Sequence, residues 1–272
     1  MKVKWVKMKL EILLSTMNKN GKKENLQLIK KINAKTKTLT INQITKEEIK
    51  MEEDLESNNR LISVKDKGLS KSRNMAIQNA NGDICIIADD DVKYVDDFEN
   101  IIKNAYNKYK NYDVICFYVQ SNKERKNKKI LSSQIGKLNA MKIRSFEITF
   151  KRENILKKNI KFNENFGAGT YYDRGEETIF LWDCIEQGLK IRFVNKKIAE
   201  VNHKQSTWFE GFTEEYFIKE GRVFYELSNK FYKLFILQFA IRKYHLYRKN
   251  MNMFKAIKLM LTGATDFNLS ME

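Results

Sequence analysis

Apolar and polar positions follow two rhythms along this chain, and the changes of rhythm mark its elements. The first strand is predicted over Lys9 to Ser15, where LEILLS is a near-continuous apolar run suited to a sheet buried on both faces. A polar helix is expected near Asn25 to Ile32, a second strand at Thr38 to Gln43 and a short third strand at Leu61 to Val64. Between them, residues 46–57 (KEEIKMEEDLES) read as a charged, solvated helix or loop. Gly68-Leu69-Ser70 has the form of a turn and N-cap, with Ser70 placed to accept from the first free amides of a helix. That helix is expected to reach Ala80 and stop at the turn dipeptide Asn81-Gly82. The strand Asp83 to Ala88 then ends abruptly in Asp89-Asp90-Asp91.

Further on, the pattern predicts a helix from Asp97 to Lys110, a strand from Asp113 to Val119 and a lysine-rich loop at 121–129. Segment 142–162 is mixed, with a strand expected at Phe146 to Phe150. The Gly-rich stretch Phe166-Gly167-Ala168-Gly169 leads to a helix from Glu176 to Gln187, closed by Gly188, and then a strand from Lys190 to Val194. Residues 206–272 read as helices. Strand, helix and strand in alternation imply an α/β fold with a largely parallel sheet.

Composition narrows the picture only in places. The 272 residues are 42% hydrophobic and 12% aromatic, enough for a sizeable core, and contain no proline. The net charge of +17 fits nucleic acid, an anionic membrane surface or phosphorylated substrates, without choosing among them. Cys85, Cys116 and Cys184 are widely spaced in apolar runs, which speaks for buried thiols rather than zinc ligands or disulfides. The N-terminal MKVKWVKMKLEILLSTM is interrupted by Glu11 and too short in its apolar part for a signal peptide. The apolar window Phe231 to Ile241 falls short of a membrane span. The expectation is a cytoplasmic protein, with peripheral attachment to the inner face of the plasma membrane left open.

Four segments carry chemistry. In IIADDDV (86–92), three carboxylates follow a hydrophobic strand at its C-terminal end, where ligands bind in open α/β sheets. Hard oxygen ligands there suit magnesium or manganese shared with a diphosphate; the plain alternative is an acidic turn. In KGLSKSRN (67–74), a helix N-terminus with Lys67 before it and Arg73 in it favours a phosphate, or is an ordinary capped helix. In GEETIFLWDC (175–184), Glu176 and Glu177 open a helix, either as a general base at a cleft or as complements to the helix dipole. In VNHKQSTW (201–208), His203 follows a strand and is either a ligand or structural.

In this order the segments resemble family 2 of the glycosyltransferases, with the GT-A fold. KGLSKSRNMAIQNANGDICIIADDDV resembles the family's nucleotide-binding half, GEETIFLWDCIEQGLKI the start of its acceptor-side helix, and HKQSTW its His-containing closing loop. The resemblance implies a catalytic domain over 1–205, with a nucleotide-sugar half at about 1–92 and an acceptor half at 93–205, followed by a helical extension at 206–272. It implies an inverting transfer from a nucleotide-sugar, UDP-linked, to a saccharide or lipid-linked acceptor in cell-surface polysaccharide synthesis, with manganese or magnesium as cofactor. It further implies roles: Asp89, Asp90, Asp91 and His203 on the metal, Arg73, Asp89, Lys67 and Ser15 on the donor nucleotide, Glu177 as base and Glu176 as its acidic neighbour. Two departures stand out. The base position carries Glu rather than Asp, and the second strand ends in Asn42-Gln43, where most members place an acidic residue that reads the nucleobase.

The tail mixes apolar and basic residues over 228–250 and again over Met253 to Leu261, which fits a helix packed on the catalytic domain or one lying on anionic lipid. Two alternatives to the transferase are a sugar-nucleotide pyrophosphorylase and a non-enzymatic nucleic-acid-binding protein. The first requires a Gly-rich loop after the first strand, where this chain has STMNKNG. The second leaves the acidic triplet unexplained.

Overall fold

A computed structural model describes residues 8–45, 50–56, 59–121, 133–201 and 211–265. In chain order the first half is β1 (Leu10–Met17), α1 (Gly21–Lys31), β2 (Lys37–Gln43), β3 (Lys50–Asp54), β4 (Arg60–Val64), α2 (Leu69–Asn79), β5 (Ile84–Ala88), β6 (Val92–Tyr94) and α3 (Phe98–Lys108). The second half is β7 (Val114–Ser121), β8 (Gln134–Ile135), α4 (Lys137–Ala140), β9 (Ile148–Lys151), α5 (Arg152–Lys157), α6 (Glu176–Glu186), β10 (Ile191–Val201), α7 (Glu214–Leu227), α8 (Tyr232–Tyr247) and α9 (Met253–Thr265).

The strands form one ten-stranded sheet in the order β3-β4-β2-β1-β5-β9-β7-β10-β6, with β8 paired to β10. β1, β2, β4, β5, β7 and β10 share one direction, while β3, β6, β8 and β9 run against it. The fold is therefore the expected α/β sheet, mostly parallel, with antiparallel strands at the edges and at β9.

The two-residue period of the strands sorts side chains into two layers. Leu10, Ile12 and Leu14 of β1, with Ile84 and Ile86 of β5, pack against Leu28 and Ile29 of α1 and Phe98 and Ile102 of α3. Leu13, Cys85 and Ile87 face the other way, joining α2, α6 and the C-terminal helices in a second cluster. All three cysteines are free and buried, as expected. α7, α8 and α9 thus share the apolar layer of α6, through Phe217, Phe224, Ile236, Tyr247 and Met260. α7 and α9 cross at two glycines: a Cβ on Gly221 would lie 1.9 Å from the Met260 carbonyl oxygen, and one on Gly263 as close to that of Ile218. Only glycine permits that backbone approach.

The elements differ from the sequence expectation in several places. Residues 50–54, read as charged helix or loop, form the edge strand β3, antiparallel to β4. An edge strand needs backbone partners on one side only and tolerates charged residues, so its hydropathy does not announce it. The strand expected at Phe146 to Phe150 begins at Ile148 after a 3-10 turn at Ser145–Glu147, and the strand expected to end at Val194 continues to Val201. Gly68, not Ser70, caps α2, and the Ser70 hydroxyl instead donates to the Phe166 carbonyl at 2.6 Å. The lysine-rich loop, apart from Ser121, lies outside the described residues. Glu11, which breaks the apolar run of β1, is buried, pairs with Arg60 at 3.3 Å and accepts from the amides of Asn81 and Gly82. It thereby pins the turn between α2 and β5.

Candidate active site

The parallel strands β1, β2 and β5 all deliver their C-terminal ends to one rim of the sheet. β5 is fully buried, so the chain reaches the surface only where the apolar run stops, at Asp89-Asp90-Asp91. The three carboxylates take different paths. Asp89 turns inward, accepting from Arg73 Nη2 at 3.1 Å and from the Ser145 hydroxyl at 3.2 Å. Asp90 faces the end of β1, where the Thr16 hydroxyl donates to it at 3.4 Å and Lys19 Nζ lies 3.9 Å away, while its backbone oxygen accepts from Lys31. Asp91 is half-buried and makes no ion pair among the described residues. Burial, and then the negative charges of Asp89 and Asp90, push its pKa up to about 6.

Arg73 organises the site. It rises from α2, is 1% exposed, and its second amino group donates to Glu176 at 2.8 Å, so a single guanidinium joins the end of β5 to the start of α6. Burial works against its charge, and the carboxylates of Asp89 and Glu176 more than offset that, leaving its pKa raised. The guanidinium also stands 5.4 Å above the Phe162 ring, which stacks at 4.2 Å on Phe180 of α6. Asn74, one residue further along α2, clasps the backbone of Phe162 from both sides. α2 and α6 are therefore fixed to each other by a charge pair and an aromatic stack.

Glu177, the second residue of α6, lies beside this buried pair and keeps partial access to solvent. Its pKa is pushed up to about 8, by burial first and then by the charge of Glu176, with Arg73 acting in the opposite direction. The turn before it relies on Gly175, which caps α6 at φ +89; a Cβ there would meet Val223 of α7 at 2.7 Å. Glycine alone meets both demands.

Of the residues singled out in the sequence, the fold brings Arg73, Asp89, Glu176 and Glu177 together, with Asp90 and Asp91 adjoining. Ser15 is buried and hydrogen-bonded to Ser72 at 2.8 Å, which places it in the β1–α2 packing rather than on an open surface. Lys67 is exposed, and its backbone amide donates to Asp66. At the N-terminus of α2, where a phosphate cradle is expected, the first amide already has a partner. The Ala168 carbonyl accepts from Leu69 at 2.9 Å, so the Gly-rich loop takes that place. Glu176, grouped with the catalytic residues, is committed to Arg73. His203 and its loop lie outside the described residues. Ser145, Phe162 and Asn74 were not picked out, although Asn74 stands inside the SRN motif.

Three or more His, Cys, Asp or Glu side chains do not converge as a ready-made cation site among the described residues. The triplet still fits a divalent ion of the kind held by one or two protein carboxylates with the remaining ligands from a diphosphate. Among the described residues the three adjacent negative charges face Arg73, Lys19 and Lys31, and Asp91 is in ion-pair contact with none of these, Lys31 acting on it only from a distance.

The end of β2 is closed in a different way. The Asn42 side chain accepts from the Lys19 amide at 3.0 Å and donates to the Lys19 carbonyl at 2.9 Å, and Gln43 donates to the Gly68 carbonyl. Both amides serve the loops around the rim.

The family model described as Glycosyl transferase family 2 matches residues 40–175, half of the chain. No curated protein matches. Among solved structures, S. aureus TarS 1-349 in complex with UDP-GlcNAc superposes with a TM-score of 0.59 at 13% identity, covering 89% of this chain and 74% of that one. Glucosyl-3-phosphoglycerate synthase from Mycobacterium tuberculosis, in complex with Mn2+, UDP and phosphoglyceric acid, gives 0.50 at 13% identity, covering 81% and 78%. The mannosyltransferase PcManGT from Pyrobaculum calidifontis, with GDP-Man and Mn2+, gives 0.50 at 11% identity, covering 97% and 76%. At these identities the likeness is one of fold.

Proposed function

The chain belongs to glycosyl transferase family 2 and is a glycosyltransferase with the GT-A fold; on that basis we propose that it performs a metal-dependent, inverting transfer in which Glu177 takes the proton of the acceptor hydroxyl. The observation that carries the proposal is the bridge from Asp89 through Arg73 to Glu176, which sets the base helix against the acidic end of β5. Family membership also selects a transferase over the pyrophosphorylase alternative.

The chemistry follows from where charge appears. Departure of a nucleoside diphosphate builds negative charge at the acidic rim, and a divalent cation held by Asp91, with Asp90 beside it, would neutralise that charge. Asp89 is the less suited ligand, since both its oxygens already accept from Arg73 and Ser145. His203 is kept as a further ligand on the strength of the motif. An acceptor hydroxyl is a weak nucleophile at neutral pH, and a carboxylate whose proton affinity is raised by burial takes its proton more readily. Attack from the face opposite the departing diphosphate inverts the sugar carbon. Glu176 and Arg73 act by position: they hold the start of α6 so that Glu177 points to one place.

The donor is a nucleotide-sugar, with a UDP-linked sugar as the first candidate. TarS carries UDP-GlcNAc and the mycobacterial synthase UDP in their structures. With Asn42 and Gln43 engaged by backbone, the base is read without a carboxylate from β2. The acceptor in this reading is a saccharide or lipid-linked saccharide, the product a cell-surface polysaccharide and the place of work the inner membrane face. Thermal unfolding tests the reading. Nucleoside diphosphate with manganese should protect the protein, UDP more than GDP, whereas an oligonucleotide should not. Protection by the oligonucleotide alone would overturn it.

A further inference from the structure

The outer face of α8 takes no part in the site described above. The helix buries Ile236, Ala240 and Tyr247 and leans Phe235 on Trp182 and Phe224. Its opposite side exposes Leu234, Leu237 and Ile241 at 60, 47 and 58%, spaced three and four apart and so lying along one stripe. Phe231, exposed one turn earlier, continues the stripe. Single exposed apolar residues are ordinary, but a row of large ones on one helix face marks a surface that meets something.

Charge identifies what it meets. From Ser228 to Thr265 the chain carries eight Lys and Arg residues and no Asp or Glu. Lys230, Lys233, Arg242, Arg248 and Lys249 of this stretch are exposed around the stripe, while Lys255 is paired with Glu214. A second copy of the chain is a poor occupant. A twofold contact through this face would set its basic rim against itself without compensating acids. Spanning a bilayer is also ruled out for this helix: its 16 residues fall short of the roughly 20 needed, and no helix among the described residues is long and apolar enough to cross. An apolar stripe with a cationic rim, in a stretch of chain that holds no Asp or Glu, suits a helix lying in the plane of an anionic lipid surface.

We propose that the outer face of α8 docks the protein on anionic lipid, Leu234, Leu237 and Ile241 entering the headgroup boundary and the flanking Lys and Arg residues pairing with lipid phosphates. The proposal rests on the transferase reading only for the expectation that the acceptor is found near a membrane. The surface itself is separate from Glu177, and the test keeps the two apart.

Co-sedimentation of the full chain with vesicles decides it, comparing phosphatidylcholine alone with phosphatidylcholine containing phosphatidylglycerol, at low and high salt. Wild type should bind the anionic vesicles, release them in high salt, and leave the neutral ones. Combined Leu234→Ser, Leu237→Ser and Ile241→Ser should lower binding at least about tenfold. Lys233→Glu with Arg242→Glu should lower it by at least about fivefold for each charge. Both variants change exposed positions and should keep wild-type thermal midpoints and protection by nucleoside diphosphate. Glu177→Gln should bind vesicles as wild type does, so a failed transferase reading leaves this result unchanged. Equal, weak binding to both vesicle types would overturn the proposal. So would undiminished binding by the triple serine variant, or a lipid-free dimer that this variant converts to monomer.

Discussion

Arg73 holds its charge in a place where water cannot solvate it, between Asp89 and Glu176 and over the Phe162 ring. Removing it leaves two partly or wholly buried carboxylates facing each other, so Arg73→Met should destabilise the fold by about 3–5 kcal/mol, read from the denaturant midpoint. A midpoint unchanged from wild type would mean that the pair is not buried in solution. Glu177 makes a separate prediction. Only its ionised form can accept a proton, and burial beside Glu176 raises its pKa, so activity should fall as pH drops through that raised value. The acidic limb of kcat/KM should therefore lie well above the ordinary glutamate value of about 4.3. A limb at that ordinary value would show that the environment of Glu177 is open. The types of these residues were legible in the sequence, since an arginine in an SRN helix and a Glu pair at a helix start both stand out. Their pairing was not, because Arg73 and Glu176 are 103 positions apart and nothing local encodes that contact. Ser15 shows the same limit: a serine at a strand end has the look of a ligand, and its hydrogen bond to Ser72 arises only through the fold.

At the scale of elements, periodic segments declared themselves and unperiodic ones did not. β1, β2, β5 and α6 fall within a few residues of their expected bounds because burial on both faces, or on one helix face, writes a strong pattern. β3 was missed because its stability comes from backbone pairing with β4 at the sheet edge. At the start of α2 a distant loop, through Ala168, takes the first amide, a contact that no local pattern encodes. The C-terminal helices were legible as helices, but not their close crossing. Gly221→Ala would push a methyl group toward the Met260 carbonyl, 1.9 Å from the ideal Cβ position, so α7 and α9 must separate. The expected cost is about 1–3 kcal/mol, seen as a lower midpoint for unfolding, with the nucleotide site still formed in the surviving folded fraction. A neutral effect would mean that the two helices are not in backbone contact.

Across the whole molecule, one mostly parallel sheet brings the ends of β1, β2 and β5 to a common rim, and α6 places its N-terminus there with Arg73 as the link. The α/β class could be anticipated because alternation of strands and helices leaves few other architectures. The rim's charge balance, in which burial and the charges of Asp89 and Asp90 outweigh the pull of Lys31 on Asp91, emerges only when the elements are assembled. Chelation should accordingly abolish turnover, manganese or magnesium should restore it, and Asp91→Asn should raise the metal concentration needed for half-maximal activity. Unchanged metal dependence in that variant would move the cation elsewhere. The most direct measurement follows nucleoside diphosphate release over a panel of nucleotide-sugars with manganese, comparing wild type with Glu177→Gln. The variant should lose about 10²–10⁴-fold in kcat, with donor protection against unfolding retained. Full turnover by Glu177→Gln would contradict the role of Glu177 as base.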